Sequence, residues 1–482
     1  MKENIEGKIL KVIQNMYCGI KSCVLLNQQM SDEFLCNVGV RQGENLSPLL
    51  FAFFVNDIEA KLIEQNCNYL DFSDDVVNMY LNLFVLMYAD DTVILCDSEA
   101  GLKQALIAMY AYCRDWRLKV NCNKTKIVVF SGRKVNTGNY SFRFGEESLE
   151  VVHEYKYLGI TFNFNGSFRK GQLELVEQAK RAMYSLIGKC RKFDLPVDMQ
   201  IELYSCMVMP IMIYASEIWG YGTVRELELL QMKFFKHVLY VHKNTSTDIV
   251  YGELGAYPLE VIIKCRMINY WSRLILGKIT KLSYLMYRCL LNLDTLGVYS
   301  SPWIVYIKSI FNECGMTGVW LSQNITNPLW LKKAVEVKLK DLWITTWYRN
   351  LSTKSICSSY KMYKQVYVRE GYLMNLSKGN RILVARLRTG NNKFPIIEGR
   401  YRGISREERI CNKCEAGVVG DEFHVLFQCQ NAEIARLRNQ YIPDYYKNRS
   451  NEFKYILYMQ NKNVDVLNDL ACFLKTVFNM FR

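Results

Sequence analysis

Two adjacent carboxylates have the chemistry and the surroundings of a metal site. Asp90 and Asp91 separate two apolar runs, 83–88 and 92–95, which have the composition of β-strands. Strands this apolar are normally buried on both faces, and burying two neighbouring carboxylates is costly unless a cation compensates them. A hairpin tip that presents Asp90 and Asp91 to Mg²⁺ would resolve the conflict, because Mg²⁺ prefers oxygen ligands. The alternative is an ordinary Asp–Asp turn without a metal.

A polar loop with two glycines lies upstream of the carboxylates, at 39–48. It is followed by apolar residues at helical spacing, which predict a helix over 48–65. Ser47 is suited to the N-cap of this helix and Pro48 to its first position. Glycines allow a nucleotide or a backbone to approach closely. The alternative is a loop and a capped core helix without a ligand.

Three cysteines and a histidine near the C-terminus have the spacing of a zinc site. The pattern is Cys411-x2-Cys414-x9-His424-x4-Cys429. Three thiolates and an imidazole can close a tetrahedral structural site. A chance Cys-x2-Cys is the alternative in a chain with 17 cysteines, but the chain has only 4 histidines, and one of them lies at ligand spacing. We therefore predict zinc here and assign structural or surface roles to the remaining histidines, His153, His237 and His242.

A basic segment, 381–409, immediately precedes the cysteines. It contains eight basic and three acidic residues, a net charge of +5, with Phe394 and Tyr401 interleaved. Phosphate neutralisation and base stacking by such a segment predict nucleic-acid binding. A solvated basic face is the alternative. The cations of this predicted interface are Arg386, Arg388, Lys393, Arg400, Arg402 and Arg406.

Composition points to a globular protein with a polyanionic partner. The 482 residues include 61 Lys and Arg against 47 Asp and Glu, a net charge of +14, and 50% of the residues are hydrophobic. This excludes wholesale disorder and favours nucleic acid over a small acidic ligand. The odd number of cysteines and the lack of an apolar N-terminal run indicate a reduced, intracellular protein. The longest uncharged stretch, 314–331, is interrupted by polar residues and a proline, so we predict no membrane span.

The elements that must position these residues change in type along the chain. Predicted strands at 83–88, 92–96, 126–130 and 157–163 alternate with predicted helices at 48–65 and 101–117, which indicates an α+β region. Beyond about residue 168 the strand signals fade, and apolar residues recur every three or four positions. We therefore predict four regions: an α+β region at 1–168, a helical region at 169–280, a helical, aromatic-rich connection of unknown role at 281–384, and a basic, zinc-binding region at 385–482.

The glycine-bearing loop at 39–48 resembles motif B of the reverse transcriptase palm, and the Asp90–Asp91 segment resembles motif C. Their sequences are similar to those of non-LTR (LINE-type) retrotransposons. The resemblance continues through Trp116-Arg117-Leu118-Lys119-Val120-Asn121-Cys122-Asn123-Lys124-Thr125-Lys126, similar to motif D, and Tyr155-Lys156-Tyr157-Leu158-Gly159-Ile160, similar to motif E. The Cys-Cys-His-Cys element also resembles one in these proteins. The fold implied is a partial right-hand palm, a helical thumb and a small zinc-binding element.

The resemblance also implies a reaction and its participants. RNA-directed DNA synthesis would use an RNA template, a DNA primer and dNTPs, with Asp90 as the main Mg²⁺ ligand and Asp91 in support. Lys124 would neutralise or protonate the leaving pyrophosphate, and Tyr157, Leu158 and Gly159 would position the primer end. The incoming nucleotide and the template would contact Arg41, Gln42, Gly43, Ser47 and Pro48. A nuclear location follows from the family alone.

The sequence departs from the family at motif A, an Asp on a strand upstream of motif B, and at the fingers, neither of which we find. The acidic run at 70–75 has the composition of a loop and is not expected to replace motif A. We therefore expect this chain, as a fragment truncated at its N-terminus, to polymerise poorly alone unless an N-terminal polypeptide supplies the missing carboxylate. We assign no nuclease.

Two further interpretations remain open from the sequence. The chain could be a non-catalytic nucleic-acid-binding protein in which the incomplete palm is merely structural, or a decayed element product.

Overall fold

A computed structural model describes residues 6–36, 38–41, 43–65, 67, 70–71, 82–83, 85–88, 90–222 and 225–481. The chain divides into two compact units. The first unit consists of Met1–Lys156 and Asn163–Gly166, and the second of Tyr157–Phe162 and Ser167–Arg482. The predicted subdivision of the helical part at 280 and 384 remains a prediction.

The first unit mixes helices with short strands. Its helices are α1 (Gly7–Tyr17), α2 (Ser47–Phe54), α3 (Ile58–Glu64) and α4 (Glu99–Asp115). Its strands are β1 (Lys21–Ser22), β2 (Leu25–Leu26), β3 (Gln29–Met30), β4 (Phe34–Leu35), β5 (Leu70–Asp71), β6 (Asn82–Leu83), β7 (Val85–Tyr88), β8 (Asp91–Ile94), β9 (Lys126–Val128), β10 (Phe142–Phe144), β11 (Glu147–Val152) and most of β12 (Glu154–Tyr157).

Strand pairing in this unit is mostly antiparallel. The pairs β1–β4, β2–β3, β5–β6 and β7–β8 are antiparallel, whereas β11 pairs with β10 antiparallel and with β9 parallel. Ser98 is the N-cap of helix α4, and its hydroxyl accepts a hydrogen bond from the Gly101 N–H. The helix packs against α3 and β10. Its apolar residues contribute to two small cores, one shared with α3 and one shared with β9–β11.

The second unit is almost entirely helical. Apart from most of β13 (Ile160–Asn163), its main elements are α5 (Arg169–Lys192), α6 (Val197–Met207), α7 (Met209–Met212), α8 (Ser216–Trp219), α9 (Arg225–Val238), α10 (Thr247–Leu254), α11 (Leu259–Ile275), α12 (Leu282–Thr295), α13 (Pro302–Glu313), α14 (Thr317–Ser322), α15 (Pro328–Thr353), α16 (Ser358–Tyr363), α17 (Tyr372–Asn375), α18 (Lys378–Arg388), α19 (Pro395–Tyr401), α20 (Ala432–Tyr441), α21 (Asp444–Lys447), α22 (Glu452–Met459) and α23 (Val464–Met480).

One continuous apolar core runs through this unit, from Ile160 in β13 to Phe481 after α23. Helix α11 is central to it, because it packs against α8, α15, α12 and α13 and its Trp271 is fully buried. Apolar residues recur every three or four positions in these segments, so each segment, as a helix, has one apolar face that packs against this core. The predicted change from mixed structure to helices near residue 168 is observed.

Several expected elements differ in detail from the structure. The helix predicted at 48–65 is divided into α2 and α3 by a turn at 55–57. Ser47 is the first residue of α2 and not its N-cap, because its hydroxyl donates to the Arg41 carbonyl instead of capping the helix. The strand predicted at 157–163 is interrupted by a turn. Leu70–Asp71, interpreted as part of a loop, is strand β5, whereas the rest of that acidic run lies outside the described residues.

None of the helices that the structure describes is both long and apolar enough to cross a membrane.

Candidate functional site

The two aspartates lie at the tip of a tight hairpin. Strands β7 and β8 pair in register from Val85–Ile94 to Tyr88–Asp91, so the chain reverses direction between Tyr88 and Asp91. Asp90 lies in this turn and Asp91 begins β8, and both are exposed. The predicted hairpin tip is therefore confirmed. The predicted burial of its strands on both faces is wrong for the described side chains, because Met87 and Tyr88 are exposed.

Neither carboxylate is engaged by a described residue of the protein. Among the described residues, no hydrogen bond or ion pair reaches the side chain of Asp90 or Asp91. Two neighbouring carboxylates without a protein cation repel each other, and a divalent cation would relieve this repulsion. The donor set therefore fits Mg²⁺, with substrate phosphates and water in the remaining coordination positions.

The glycine-bearing loop is held by a polar network centred on Tyr17 and Arg41. The Arg41 guanidinium donates to Glu44 Oε1 (2.7 Å) and to the Met16 carbonyl (2.8 Å). The Tyr17 hydroxyl contacts Glu44 Oε2 and Ser47 Oγ, each at 3.1 Å. Gly43 has a φ of +88° and open space where a Cβ would stand, so this turn favours glycine and leaves room for a ligand. Pro48 follows as the second residue of α2, and Gln42 lies outside the described residues.

Lys124 lies in the turn before β9. The turn is closed by the Thr125 N–H, which donates to the Asn121 carbonyl, and the Tyr155 hydroxyl donates to the Lys124 carbonyl at 3.2 Å. The Lys124 side chain is exposed. An exposed ammonium at this position is accessible to an anionic ligand.

Leu158 and Gly159 form the turn between β12 and β13, directly after Tyr157, the last residue of β12. Leu158 and Gly159 both have positive φ, +46° and +83°, which is the requirement of a type I′ turn. The Tyr214 hydroxyl donates to the Leu158 carbonyl at 2.8 Å, and a Cβ at Gly159 would lie 3.1 Å from the Tyr214 ring. This close contact and the backbone conformation both select glycine at 159.

The four predicted zinc ligands come together in the second unit. Their ligand atoms all lie within 4.8 Å of one another, with Cys411 Sγ 4.0 Å from Cys429 Sγ and Cys414 Sγ 3.3 Å from His424 Nε2. Tetrahedral zinc with bonds of about 2.3 Å to sulfur and about 2.0 Å to nitrogen requires separations of roughly 3.5–3.8 Å. The residues present therefore fit a zinc ion.

Burial explains why these thiols need a cation. It raises the pKa of Cys411, and it raises the pKa of Cys429 to about 12. For Cys414, burial acts in the same direction, but the N–H groups of Ala416 and Gln430 and the neighbouring thiols outweigh it and lower the pKa. Two of the three thiols would thus stay neutral at physiological pH until a metal displaces their protons.

Two residues that support this site were missed in the sequence. Asp421 Oδ1 accepts from the His424 N–H at 2.9 Å, and Asp421 directly precedes the helical residues 422–428 that carry His424. The Asn431 side chain donates to the Lys413 carbonyl at 3.1 Å and caps α20. The signal was available, because Asp and Asn placed before a helical turn are typical capping residues.

The predicted nucleic-acid interface is only partly a surface. Arg388 is 5% exposed, and its guanidinium bonds to Glu253, Glu370 and the Met459 carbonyl. Phe394 is fully buried between Phe478 and Phe481. Both residues belong to the core, so we withdraw them from the predicted interface.

The remaining predicted cations of the basic segment 381–409 lie on α18, on α19 and in the loops before and after α19. Arg386 is half-buried with an unpartnered Nε, and burial lowers the pKa of the half-buried Arg400. Lys393, Arg402 and Arg406 are exposed, as is Tyr401. Arg402 and Arg406 lie 3.8 and 3.7 Å from Glu398 and Asp421, which weakens their positive potential.

Comparison with known proteins identifies relatives of both units. Residues 5–162 match the family model described as reverse transcriptase (RNA-dependent DNA polymerase). The chain is 24% identical to "Probable RNA-directed DNA polymerase from transposon BS" of Drosophila melanogaster, over 56% of this chain and 31% of the relative. It is also 24% identical to the RNA-directed DNA polymerase from mobile element jockey of Drosophila funebris, over 49% and 26% of the two chains.

A third relative is the Pol polyprotein from the type-1 retrotransposable element R2 of Popillia japonica, 20% identical over 55% of this chain and 43% of the relative. The chain thus spans less than half the length of each of these relatives.

Proposed function

Given that the chain carries a reverse transcriptase domain and is homologous to the RNA-directed DNA polymerases of non-LTR retrotransposons, we propose that it takes part in copying RNA into DNA. The reaction is transfer of a nucleotide from a dNTP to the 3′-hydroxyl of a DNA primer on an RNA template. The observation that carries this proposal is the exposed Asp90–Asp91 pair at the β7–β8 hairpin tip, within the matched domain.

Asp90 and Asp91 would hold the divalent ions of this reaction. Bound Mg²⁺ supplies charge stabilisation for an in-line displacement at the α-phosphate. The first unit corresponds to part of a palm and the following helices to a thumb. Arg41 and Gly43 would lie along the nucleotide and template, Lys124 would meet the leaving pyrophosphate, and the Tyr157–Gly159 turn would position the primer end.

Two carboxylates leave the second metal ion weakly held. The resemblance places a third carboxylate, motif A, on a strand upstream of the glycine-bearing loop. The acidic run at 70–75 is not proposed as its replacement. We therefore expect weak extension by this chain unless a segment or a partner polypeptide contributes that carboxylate.

The zinc ion would be structural. Four protein ligands close its coordination, which leaves no open position for chemistry. Its role would be to hold the loop 411–429 and the start of α20 in the core of the second unit.

The test is Mg²⁺-dependent dNTP incorporation on a primed RNA template, with zinc present during purification. This chain is compared with a version extended upstream through the expected motif A strand, and each is made with Asp90→Ala. Asp32→Ala is the matched control, because Asp32 is an exposed carboxylate of the same unit. We expect extension in the longer version, loss of it in Asp90→Ala, and no change in Asp32→Ala.

Two other results have definite meanings. Extension that survives Asp90→Ala would overturn the assignment of the metal ligands. Tight binding of the primed template without extension by either version would favour the non-catalytic nucleic-acid-binding protein instead.

A further inference from the structure

Three helix ends meet at a charged patch that lies outside the metal centres and, apart from Arg381, outside the basic segment 381–409. The C-terminal ends of α5 and α9 meet the first turn of α18. Lys378 Nζ lies 2.6 Å from Asp194 Oδ1 and 5.8 Å from the centroid of the Tyr240 ring, which in turn contacts His237. We call Arg191, Asp194, His237, Tyr240, Lys378 and Arg381 the α18 patch.

The patch is positively charged. Lys378 is bonded to the Asp194 carboxylate, Arg381 lies close enough to act on the same carboxylate, and Arg191 lies close to His237. That bond, together with the charges of Lys378 and Arg381, holds the pKa of Asp194 below its usual value. Burial first, and then the charges of Arg191 and Lys378, lower the pKa of His237. The neighbouring Lys189, Lys192 and Lys243 are exposed, so the positive surface continues beyond the patch.

Arg381 is the residue of the patch that most needs an anion. It is 7% exposed, its Nε is buried without a hydrogen-bond partner, and its guanidinium forms no ion pair with a described residue. A buried charge without a partner is costly. Arg388, two turns along the same helix, shows the usual solution, because its guanidinium is bonded to two glutamates.

The start of α18 adds donors beside Arg381. Lys378 and Arg381 are three residues apart and therefore project from the same side of the helix. Ser377, the N-cap, makes no side-chain hydrogen bond to the first turn, and a Cβ at Gly379 would meet open space. The first-turn N–H groups of this eleven-residue helix thus remain accessible to a ligand, and the helix dipole favours an anion there.

We propose that the α18 patch binds a phosphate group of the nucleic-acid backbone. Arg381, Lys378 and the first N–H groups of α18 would contact one phosphate, and the exposed Arg191 would contact a neighbouring one. The exposed Lys189, Lys192 and Lys243 beside the patch favour a polymer of phosphates over a single small anion. This inference rests on the proposed function, which requires the protein to hold a primed RNA template.

The experiment measures binding of a fluorescent primed RNA template to the full, zinc-loaded chain over a range of salt concentrations. The double variant Arg191→Gln/Lys378→Gln is compared with Lys281→Gln/Lys308→Gln, which removes the same charge at two exposed lysines elsewhere in the second unit. We expect the patch variant to bind more weakly and the salt slope to fall by about 1 for each phosphate contact removed. The control pair is expected to keep the wild-type affinity and slope.

Arg381→Gln separates binding from folding. Because the Arg381 guanidinium forms no ion pair with a described residue, its replacement is expected to weaken template binding without lowering the thermal midpoint, unlike replacement of a paired buried arginine. A lowered midpoint with unchanged affinity would assign Arg381 a structural role and overturn the proposal.

The failures of the two proposals are distinguishable by measuring primer extension alongside binding. Wild-type affinity and salt slope in both patch variants, with extension intact in the protein extended upstream, would overturn the phosphate site alone. The expected loss of affinity, in a protein that extends no primer, would support the phosphate site and contradict the proposed reaction. Wild-type protein that binds no template would overturn both.

Discussion

Two glutamates on the same helix have opposite electrostatic environments. Glu226, at the start of α9, accepts a bidentate pair of hydrogen bonds from Arg169, which lowers its pKa to about 2. Glu228, two residues further on, accepts from the Tyr251 hydroxyl (3.0 Å) and the Glu260 N–H (2.9 Å). Burial nevertheless dominates there, and with the charge of Glu260 it raises the pKa of Glu228.

These shifts predict opposite effects of replacement on stability. A carboxyl with a raised pKa binds its proton more tightly in the folded state, so wild-type stability falls as pH rises from about 4.5 through the raised value. Glu228→Gln is therefore expected to gain stability relative to wild type as pH rises above about 4.5. The lowered pKa of Glu226 stabilises the folded state above about pH 4.5, and this contribution is lost only as pH falls toward 2. Glu226→Gln is thus less stable by a constant amount over the same range.

Urea unfolding followed by tryptophan fluorescence measures both effects, since seven of the eight tryptophans lie in the second unit. A difference between Glu228→Gln and wild type that does not grow with pH would contradict the environment assigned to Glu228.

At the scale of elements, the last turn of α10 and Gly255 pack against the C-terminal helices. Glu253 is fully buried and accepts three hydrogen bonds from Arg388, on α18, and one from the Tyr372 hydroxyl (2.6 Å). Burial alone would raise the pKa of Glu253, but the charge and hydrogen bonds of Arg388 outweigh it and keep the pKa low. Gly252 and Gly255 allow close contact, because a Cβ would lie 2.7 Å from the Trp347 ring at 252 and 2.5 Å from the Arg369 nitrogen at 255.

This packing predicts a large cost for breaking the pair. Glu253→Gln leaves the Arg388 charge buried with only Glu370 as an anionic partner, which should destabilise the second unit by about 3–5 kcal/mol. The double variant Glu253→Gln/Arg388→Met removes both charges and should recover part of this loss. Chemical unfolding of the three proteins provides the measurement. Equal stability of the single and double variants would show that the pair is not coupled as the structure indicates.

The sequence predicted elements well where local patterns are strong. Helix α4 starts two residues before its predicted start, and the Asp90–Asp91 hairpin follows directly from turn residues between apolar runs. The zinc ligands were predicted because ligand type and spacing are local signals. Local patterns fail where the partner is distant in sequence. Arg388 belongs to a basic stretch and was predicted on the surface, because Glu253, 135 residues away, leaves no local trace of their pairing.

At the scale of the whole molecule, the zinc ligands belong to a large cooperative core. Cys411 and Cys429 are part of the same apolar cluster that contains residues of α5, α11 and α23. The π-helical turn that carries His424 packs against α20, α20 packs against α23, and α23 packs against α18. The first unit has its own separate cores. Loss of zinc should therefore affect more of the chain than the loop that binds it.

We predict that chelation of zinc raises amide hydrogen exchange throughout α18, α20 and α23 and leaves exchange in α4 and β9–β11 unchanged. The reason is that the buried thiols of Cys411 and Cys429 regain protons once the metal is removed. The loop 411–429 then no longer stabilises the helices packed against it. Hydrogen exchange with mass spectrometry, together with metal analysis, measures the effect. Cys414→Ser should reproduce it without a chelator, whereas Cys472→Ser, at an exposed cysteine of α23, should retain zinc and wild-type exchange. Faster exchange confined to 411–429 would show that the metal orders only its own loop and that the core of the second unit is stable without it.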